Sequence, residues 1–505
     1  MRPAPRDGVD VRSLFAASSC ALLVAVALEI VQGRGLLAVS DDDYARVVIA
    51  QEFAAHPSWD PSGTSWLPFP FWMTGLALKM LGATLSHARS ATVAFNAMSC
   101  ALLWAIGHKL GLSRAASACL TLATALLPSA LWLGAAPIPE FSSALSITIS
   151  CLSLLTPSSS WWRVLGGCTI SLACASRYEA WPVALGIVAL NAWDATGASR
   201  ARRHVEVGRL TLACGVSSLF PVAWMLHGAQ HHQDALFFVQ RVSKYRTALG
   251  LGSPSLHELI AGYPRALLLV EPMPMLLGLG ALVWALTQRR GQLSRAVTLS
   301  PHCAVGRVVS LLVLHVVMLV LGEARGGAPT HHPERALLAV WTTTGFLAGY
   351  LWCTRIAGCT TRSVASCCGV YLLGAHLLSP WGERLAASRL RAPEEATGRQ
   401  LGARYPHATV GLATTDYGYF SIMAAAGEPS RFKIWSRHDP REARVAAALT
   451  EWVKEQPISA LVASRDLAVK HALPIDVPSG GSAAPSSVLF PVHQSKAFIV
   501  YAVRR

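Results

Sequence analysis

The chain has 505 residues, 52% of them hydrophobic and only 14% charged, and its mean hydropathy is +0.40. Soluble domains carry about 25% charged residues, so this composition excludes a disordered, fibrous or ordinary cytosolic protein. The net charge of +15 invites a nucleic-acid reading, but no zinc-ligand spacing, RNA-binding signature or basic helix with interleaved aromatics accompanies it.

From the start, Arg2, Arg6 and Arg12 precede an apolar run over about 14–30. That run is long for the core of a cleavable signal peptide and reads as a retained anchor. The basic start places the N-terminus in the cytoplasm and residues 38–90 outside. Further apolar stretches lie near 91–110, 115–134, 140–156, 163–176, 178–194, 208–227, 264–287, 305–322, 336–353 and 363–380. Threaded in alternation, they put Lys109, Arg114, Arg163, Arg200, Arg202, Arg203, Arg289, Arg290, Arg295, Arg355 and Arg362 on the cytoplasmic side, in accord with the positive-inside rule. Residues 66–81 are apolar too, yet hold Pro68, Pro70 and Lys79. Counting them as a span would turn the Arg-rich links outward, so an interfacial helix is expected there, with Lys79 snorkelling.

Beyond 380 the composition turns soluble. Strands are expected at 408–415, 432–435, 458–464 and 496–503, with a helix over 441–456 and a Pro/Gly/Ser-rich loop at 474–487. Alternation of strand and helix predicts a small α/β domain. The expected fold is a polytopic α-helical membrane protein of about 11 transmembrane helices, residues 1–380, followed by a C-terminal extracytoplasmic α/β domain, residues 381–505. The twelve cysteines lie in apolar runs or cytoplasmic links and read as small packing residues rather than a disulfide framework.

Asp41-Asp42-Asp43-Tyr44 follows the first span directly. A carboxylate at the bilayer centre costs roughly 2.5–3.5 kcal/mol, so three together must sit at the water interface. They read either as a solvated acidic cap or as a general base, since adjacent carboxylates raise one another's pKa. The pairs His231-His232 and His331-His332 lack a fixed third ligand; no metal is assigned, and a divalent cation stays an open alternative. His315 and His376 fall mid-span and are expected to be packed and hydrogen-bonded. Thr414 to Phe420 reads as a strand-to-helix turn with Asp416 capping the helix.

Residues 49–90 resemble the first extracytoplasmic loop of the GT-C-class glycosyltransferases, integral membrane enzymes that use polyprenyl-phosphate-linked sugars. Protein O-mannosyltransferases and lipid A aminoarabinose transferases belong to that class. The shared features are the acidic pair Asp42-Asp43, Ile49-Ala50-Gln51-Glu52, a Pro-rich aromatic stretch from Trp66 to Gly82, and Ala88-Arg89. Pro68-Phe69-Pro70-Phe71 stands where the family has Pro-Pro-Leu-Tyr. Ala136-Pro137-Ile138-Pro139-Glu140, Ala175-Ser176-Arg177-Tyr178-Glu179-Ala180-Trp181 and His332-Pro333-Glu334-Arg335-Ala336-Leu337-Leu338 extend the resemblance over roughly 14–380.

The resemblance implies inverting transfer of a mannose-like hexose or a pentose from a polyprenyl-phosphate-linked donor. The acceptor would be a hydroxyl of a lipid, glycan or protein on the extracytoplasmic face of a bacterial inner membrane. Alignment on Ile49-Ala50 implies Asp42 as the base; an Asp-Asp-x-Tyr reading, which includes Tyr44, implies Asp41, and Asp43 is the remaining choice. Glu140 would orient acceptor or donor, and Arg335, with Arg177 and its neighbour Glu179, would meet the lipid phosphate. Chemistry alone asks for cations at a departing phosphate, and Arg241, Lys244 and Arg246, clustered with Tyr245, offer more of them. Two rival readings are a lipid-linked-sugar flippase or transporter, which predicts charges within spans and repeat symmetry, and an inactive relative that only binds glycan. Membrane lipids are partners in every case and nucleic acid in none. Arginine far exceeds lysine, which occurs seven times, as in a GC-rich bacterial genome.

Overall fold

The computed structural model describes residues 10–158, 160–197, 203–248, 255–289, 301–325, 333–355, 360–414, 416–436, 449–470, 473, 489–495 and 497–503. The chain forms two compact units. One holds Met1–Arg34, Ser62–Pro70 and Thr92–Trp381; the other holds Gly35–Pro61, Phe71–Ala91 and Gly382–Arg505.

In chain order the helices are α1 (Val11–Gly33), α2 (Asp41–Ala55), α3 (Phe69–Leu81), α4 (Leu85–Lys109), α5 (Arg114–Ala125), α6 (Pro128–Ala135), α7 (Glu140–Ser153) and α8 (Trp161–Cys174). Next come α9 (Ala180–Thr196), α10 (Arg203–His231), α11 (Phe237–Ala248), α12 (Leu256–Leu269), α13 (Pro272–Arg289), α14 (Pro301–Ala324), α15 (Pro333–Arg355) and α16 (Thr361–Leu378). By length and composition five described helices can cross a membrane, or seven when each of two bent helix pairs counts as one span. That is fewer than the eleven stretches read from the sequence. Part of the difference has a physical cause: α7 and α8 have 14 residues each, about 21 Å at 1.5 Å per residue, against a hydrocarbon core of about 30 Å.

What α7 lacks in length it makes up in packing. Every one of its residues is buried, and its small polar side chains bond to neighbouring helices. The Thr148 hydroxyl lies 2.9 Å from those of Thr342 and Thr343 on α15. On the other side Ser150 donates to the Gly166 carbonyl of α8 at 2.8 Å. A Cβ on Gly166 would stand 2.2 Å from the Ser153 hydroxyl, so glycine sets the α7–α8 spacing, as small residues do between membrane helices. The stretch at 66–81, expected to be a non-spanning helix, is α3, 13 residues long. Between the apolar stretches expected at 208–227 and 264–287 lie α11 and the first part of α12. The ten described cysteines are free thiols, and Cys20, Cys100, Cys151 and Cys174 are fully buried, as packing residues should be.

The second unit has a five-stranded sheet of order β2-β1-β3-β5-β4. Its strands are β1 (Val410–Thr414), β2 (Phe432–Ser436), β3 (Ala460–Ser464), β4 (Leu489–Gln494) and β5 (Phe498–Val503). β2, β1 and β3 run parallel, and β5 and β4 are antiparallel to their neighbours. Four strands match expectation and β4 is an addition. It carries Pro491 at a register shift on the sheet edge, where the missing N–H costs no central ladder bond. Helices α17 (Trp381–Arg389), α18 (Ala392–Arg404), α19 (Tyr419–Ala426), α20 (Leu449–Glu455) and α21 (Arg465–Lys470) complete it. The expected helix at 441–456 is described only from Leu449. One face of the sheet shares a core with α2, α18, α19 and the end of α3, in which Tyr44, Val47, Leu78, Leu401, Leu412, Ile422 and Val462 are buried together.

Candidate functional site

In the helical unit the residues read from sequence come together around Glu140. Pro137 and Pro139 keep 136–139 from continuing α6, because proline lacks the helical N–H and restricts its predecessor. Glu140 then opens α7 with its side chain fully buried. Arg177, on the turn after α8, reaches Glu140 Oε1 through Nη1 at 2.5 Å. Arg335, in the first turn of α15, reaches the same oxygen through Nε and Nη2, both at 2.7 Å. Arg177 also forks back onto Glu179, with Nη2 at 2.5 Å and Nε at 3.2 Å.

Two guanidiniums and two carboxylates thus balance in a largely dry place, where charge-assisted hydrogen bonds offset desolvation. The arginine side chains stay partly accessible, 18% and 11% exposed, while Glu140 is not. An anchored arginine pair with exposed edges is pre-organised for phosphate oxygens.

His315 of α14 secures this frame: Nδ1 lies 3.1 Å from the Glu179 carbonyl and Nε2 lies 3.0 Å from that of Ala336. His376 likewise meets a backbone carbonyl, that of Leu126, at 2.9 Å. Both histidines are packed and hydrogen-bonded, as expected, but only His315 is mid-helix; His376 lies in the last turn of α16. Phe69 N–H donates to the Ala175 carbonyl at 3.2 Å, seating the Pro-rich segment on the Arg177 turn. Phe238 of α11 stacks on Tyr178 and packs against Trp181, both at 4.9 Å. One turn further on, Arg241 donates to the Thr64 carbonyl at 2.8 Å, meets His232 at 3.3 Å and lies over the Phe237 ring. Lys244 is exposed on the same helix. The side chains of Tyr245 and Arg246, and the pair His331-His332, lie outside the described residues.

In the second unit Asp41, Asp42 and Asp43 form the first turn of α2, where carboxylates answer unpaired N–H groups and the positive end of the helix dipole. The structure separates the three. Asp43 is fully buried and its Oδ2 accepts the Val39 N–H at 2.5 Å. Asp41 is gripped at two points by Arg391, Nε to Oδ1 at 2.7 Å and Nη2 to Oδ2 at 2.8 Å. Asp42, between them, is half-buried. The Nη1 of Arg391 reaches Asp416 at 2.9 Å and Glu394 at 3.2 Å. Burial works against the charge of Arg391, but hydrogen bonds and charge from Asp41 and Asp416 outweigh it and raise its pKa. Burial also pushes the Glu394 carboxyl up. Asp416 accepts the Gly418 N–H at 2.9 Å. A Cβ on Gly418 would lie 3.0 Å from both Arg391 Nη1 and Asp416 Oδ1, so glycine admits the arginine.

Tyr44 points inward, its hydroxyl donating to Glu395 Oε1 at 2.7 Å. Arg89, whose place beside Ala88 the family pattern marks, donates to the same oxygen at 2.6 Å, and Arg399 reaches Oε2 at 3.1 Å. Burial, then the charge of Glu395, drive the Tyr44 pKa well up. Glu395 itself is held below the usual carboxylate range: burial raises it, but the hydrogen bond and charge of Arg89 and the bond from Tyr44 prevail. Sequence reasoning missed Arg391, Glu394, Glu395 and Asp416 as site neighbours. A signal was present in Arg391-Ala-Pro-Glu-Glu, since proline and acids in a first turn mark a helix start.

No family model and no curated protein matches the chain. Among solved structures it is similar to ArnT from Cupriavidus metallidurans bound to undecaprenyl phosphate, at 14% identity and a TM-score of 0.58, over 98% of each chain. The apo state of ArnT from the same organism aligns at 13% identity and a TM-score of 0.43, over 97% of each chain. The chain is therefore an integral membrane protein with the GT-C-like fold of a helical membrane unit and a small C-terminal α/β sheet that its first loop implies.

Proposed function

We propose that the chain is a GT-C-type glycosyltransferase. It moves a sugar, a mannose-like hexose or a pentose, from a polyprenyl-phosphate-linked donor to a hydroxyl of a lipid, glycan or protein. The observation that carries this reading is the meeting of Arg177 and Arg335 on buried Glu140, in a chain sharing its fold with a protein solved with undecaprenyl phosphate. The two arginines neutralise the lipid phosphate as it departs, and Glu140 holds them in place. Asp42 is the base that takes the proton from the acceptor hydroxyl; the grip of Arg391 on Asp41 and the burial of Asp43 support it over its neighbours. Arg241 and Lys244 on α11, with Arg246, add positive charge for the donor. The protein sits in a bacterial inner membrane with its N-terminus cytoplasmic and its C-terminal unit extracytoplasmic.

The test is incubation of the purified protein with a panel of radiolabelled polyprenyl-phosphate sugars and candidate acceptors. A transferase releases free polyprenyl phosphate and labels the acceptor; a flippase or a silent glycan-binding relative does neither. Asp42→Asn is expected to lower turnover by about 10²–10⁴-fold, the usual contribution of a positioned base. A folded Asp42→Asn protein with full activity removes Asp42 from the mechanism.

A further inference from the structure

We infer that Glu271 and His376 are positioning residues for Glu140, acting through the break between α5 and the buried half-helix α6; the role of Glu140 itself rests on the transfer reading above.

The span formed by α5 and α6 bends by 71° at its break. A break at membrane depth strands the last carbonyls of one helix and the first N–H groups of the next, and they must find partners inside the protein. Here each end of α6 is met by a side chain from elsewhere in the helical unit. On the α5 side of the break, His376 of α16 sets Nε2 2.9 Å from the carbonyl of Leu126, the residue that caps α5. Glu271, just before α13 and only 1% exposed, accepts the Ser129 N–H at 2.7 Å. Pro128 opens α6, so one orphan N–H is absent from the start. At the far end Asn96 of α4 donates to the Gly134 carbonyl at 2.9 Å and Gln32 of α1 donates to that of Ala135 at 2.6 Å.

Three directional bonds therefore hold an eight-residue helix that is buried at every position, and a fourth, from His376, holds the end of α5 at the break before it. Apolar contacts alone would let so short a cylinder turn or slide. Hydrogen bonds at both ends fix its rotation and its height. The link from α6 to α7 has little freedom to absorb an error: Ala136 is extended, Pro137 and Pro139 have fixed φ, and Glu140 is the next residue. The oxygen that must meet two arginines at 2.5 Å and 2.7 Å takes its position from α6. Glu271 is well suited to the N-terminal end, because a carboxylate is favoured at the positive pole of a helix.

The test uses the full chain in lipid nanodiscs. Glu271→Gln keeps an oxygen that accepts the Ser129 N–H; Glu271→Leu does not. Hydrogen exchange over 126–140 is expected to rise about tenfold or more in Glu271→Leu and to stay within about twofold in Glu271→Gln, since local opening reads the bonds lost there. Binding of undecaprenyl phosphate, the probe, is expected to weaken about tenfold in Glu271→Leu and to be preserved in Glu271→Gln. His376→Gln against His376→Leu repeats the contrast on the α5 side of the same break should Glu271→Leu fail to fold. Unchanged exchange over 126–140 in the leucine variants overturns the clamp. Raised exchange with unchanged binding overturns its link to Glu140. A wild-type protein that binds no undecaprenyl phosphate overturns the transfer reading, while exchange still decides the clamp.

Discussion

At Arg391 one guanidinium serves three carboxylates, and two of its nitrogens are committed to Asp41. Lysine cannot reproduce that fork, so Arg391→Lys should release Asp41 and loosen the first turn of α2. The expected outcome is an activity loss of about tenfold with the protein still folded, measured by donor turnover beside a melting curve. Glu395 gives a pH prediction. Its pKa is lowered on folding, so its stabilisation is present above the ordinary glutamate pKa and is lost as pH falls through the lower folded value. Melting temperatures of the wild type should therefore drop on acidification below about pH 4. Glu395→Gln should flatten that acid limb, at the cost of a lower melting temperature near neutrality. Arg89→Met, which leaves Glu395 buried without its main partner, should destabilise by about 3–5 kcal/mol in chemical denaturation. The acidic tip, Glu140, Arg177 and Arg335 were legible because each belongs to a short run with local chemical character. Arg391 was not, because its partner Asp41 lies 350 positions away and nothing local announces the pair.

Among elements, the legible ones obey a period and the missed ones break a rule for a reason. β1, β2, β3 and β5 are apolar, β-branched runs between turn residues. β4 was passed over because Pro491 argues against a strand, and the structure accepts it at an edge with a shifted register. The short spans α7 and α8 fail a length test yet pack tightly, because Ser, Thr and Gly let their backbones approach. The contact between α18 and α19 rests on the same device: a Cβ on Gly398 would stand 2.3 Å from the Ile422 carbonyl oxygen, and one on Gly402 would stand 3.0 Å from that of Ala426. Backbone atoms cannot step aside as a flexible side chain can. Gly398→Ala is therefore expected to cost about 1–3 kcal/mol, read as a lower melting temperature, whereas alanine at Gly262, with open space around it, should be nearly neutral.

For the molecule as a whole, the arrangement of arginines between apolar runs supports a cytoplasmic N-terminus and an extracytoplasmic C-terminus. An alkaline phosphatase fused after Arg505 should be active and a green fluorescent protein fused there should be dark; the reverse pattern overturns the orientation. By itself the sequence determined the membrane class, the predominance of apolar helices, the place of the C-terminal sheet and the candidate residues for the proposed chemistry, because hydropathy, period and short motifs are local properties. Only the tertiary structure decided which carboxylate is gripped, which is buried and which lies between them. It alone put Arg177 and Arg335 on one oxygen of Glu140 and gave α6 three distant partners. Those outcomes depend on contacts between residues far apart in the chain, and a buried polar group must find its partner wherever the fold brings one.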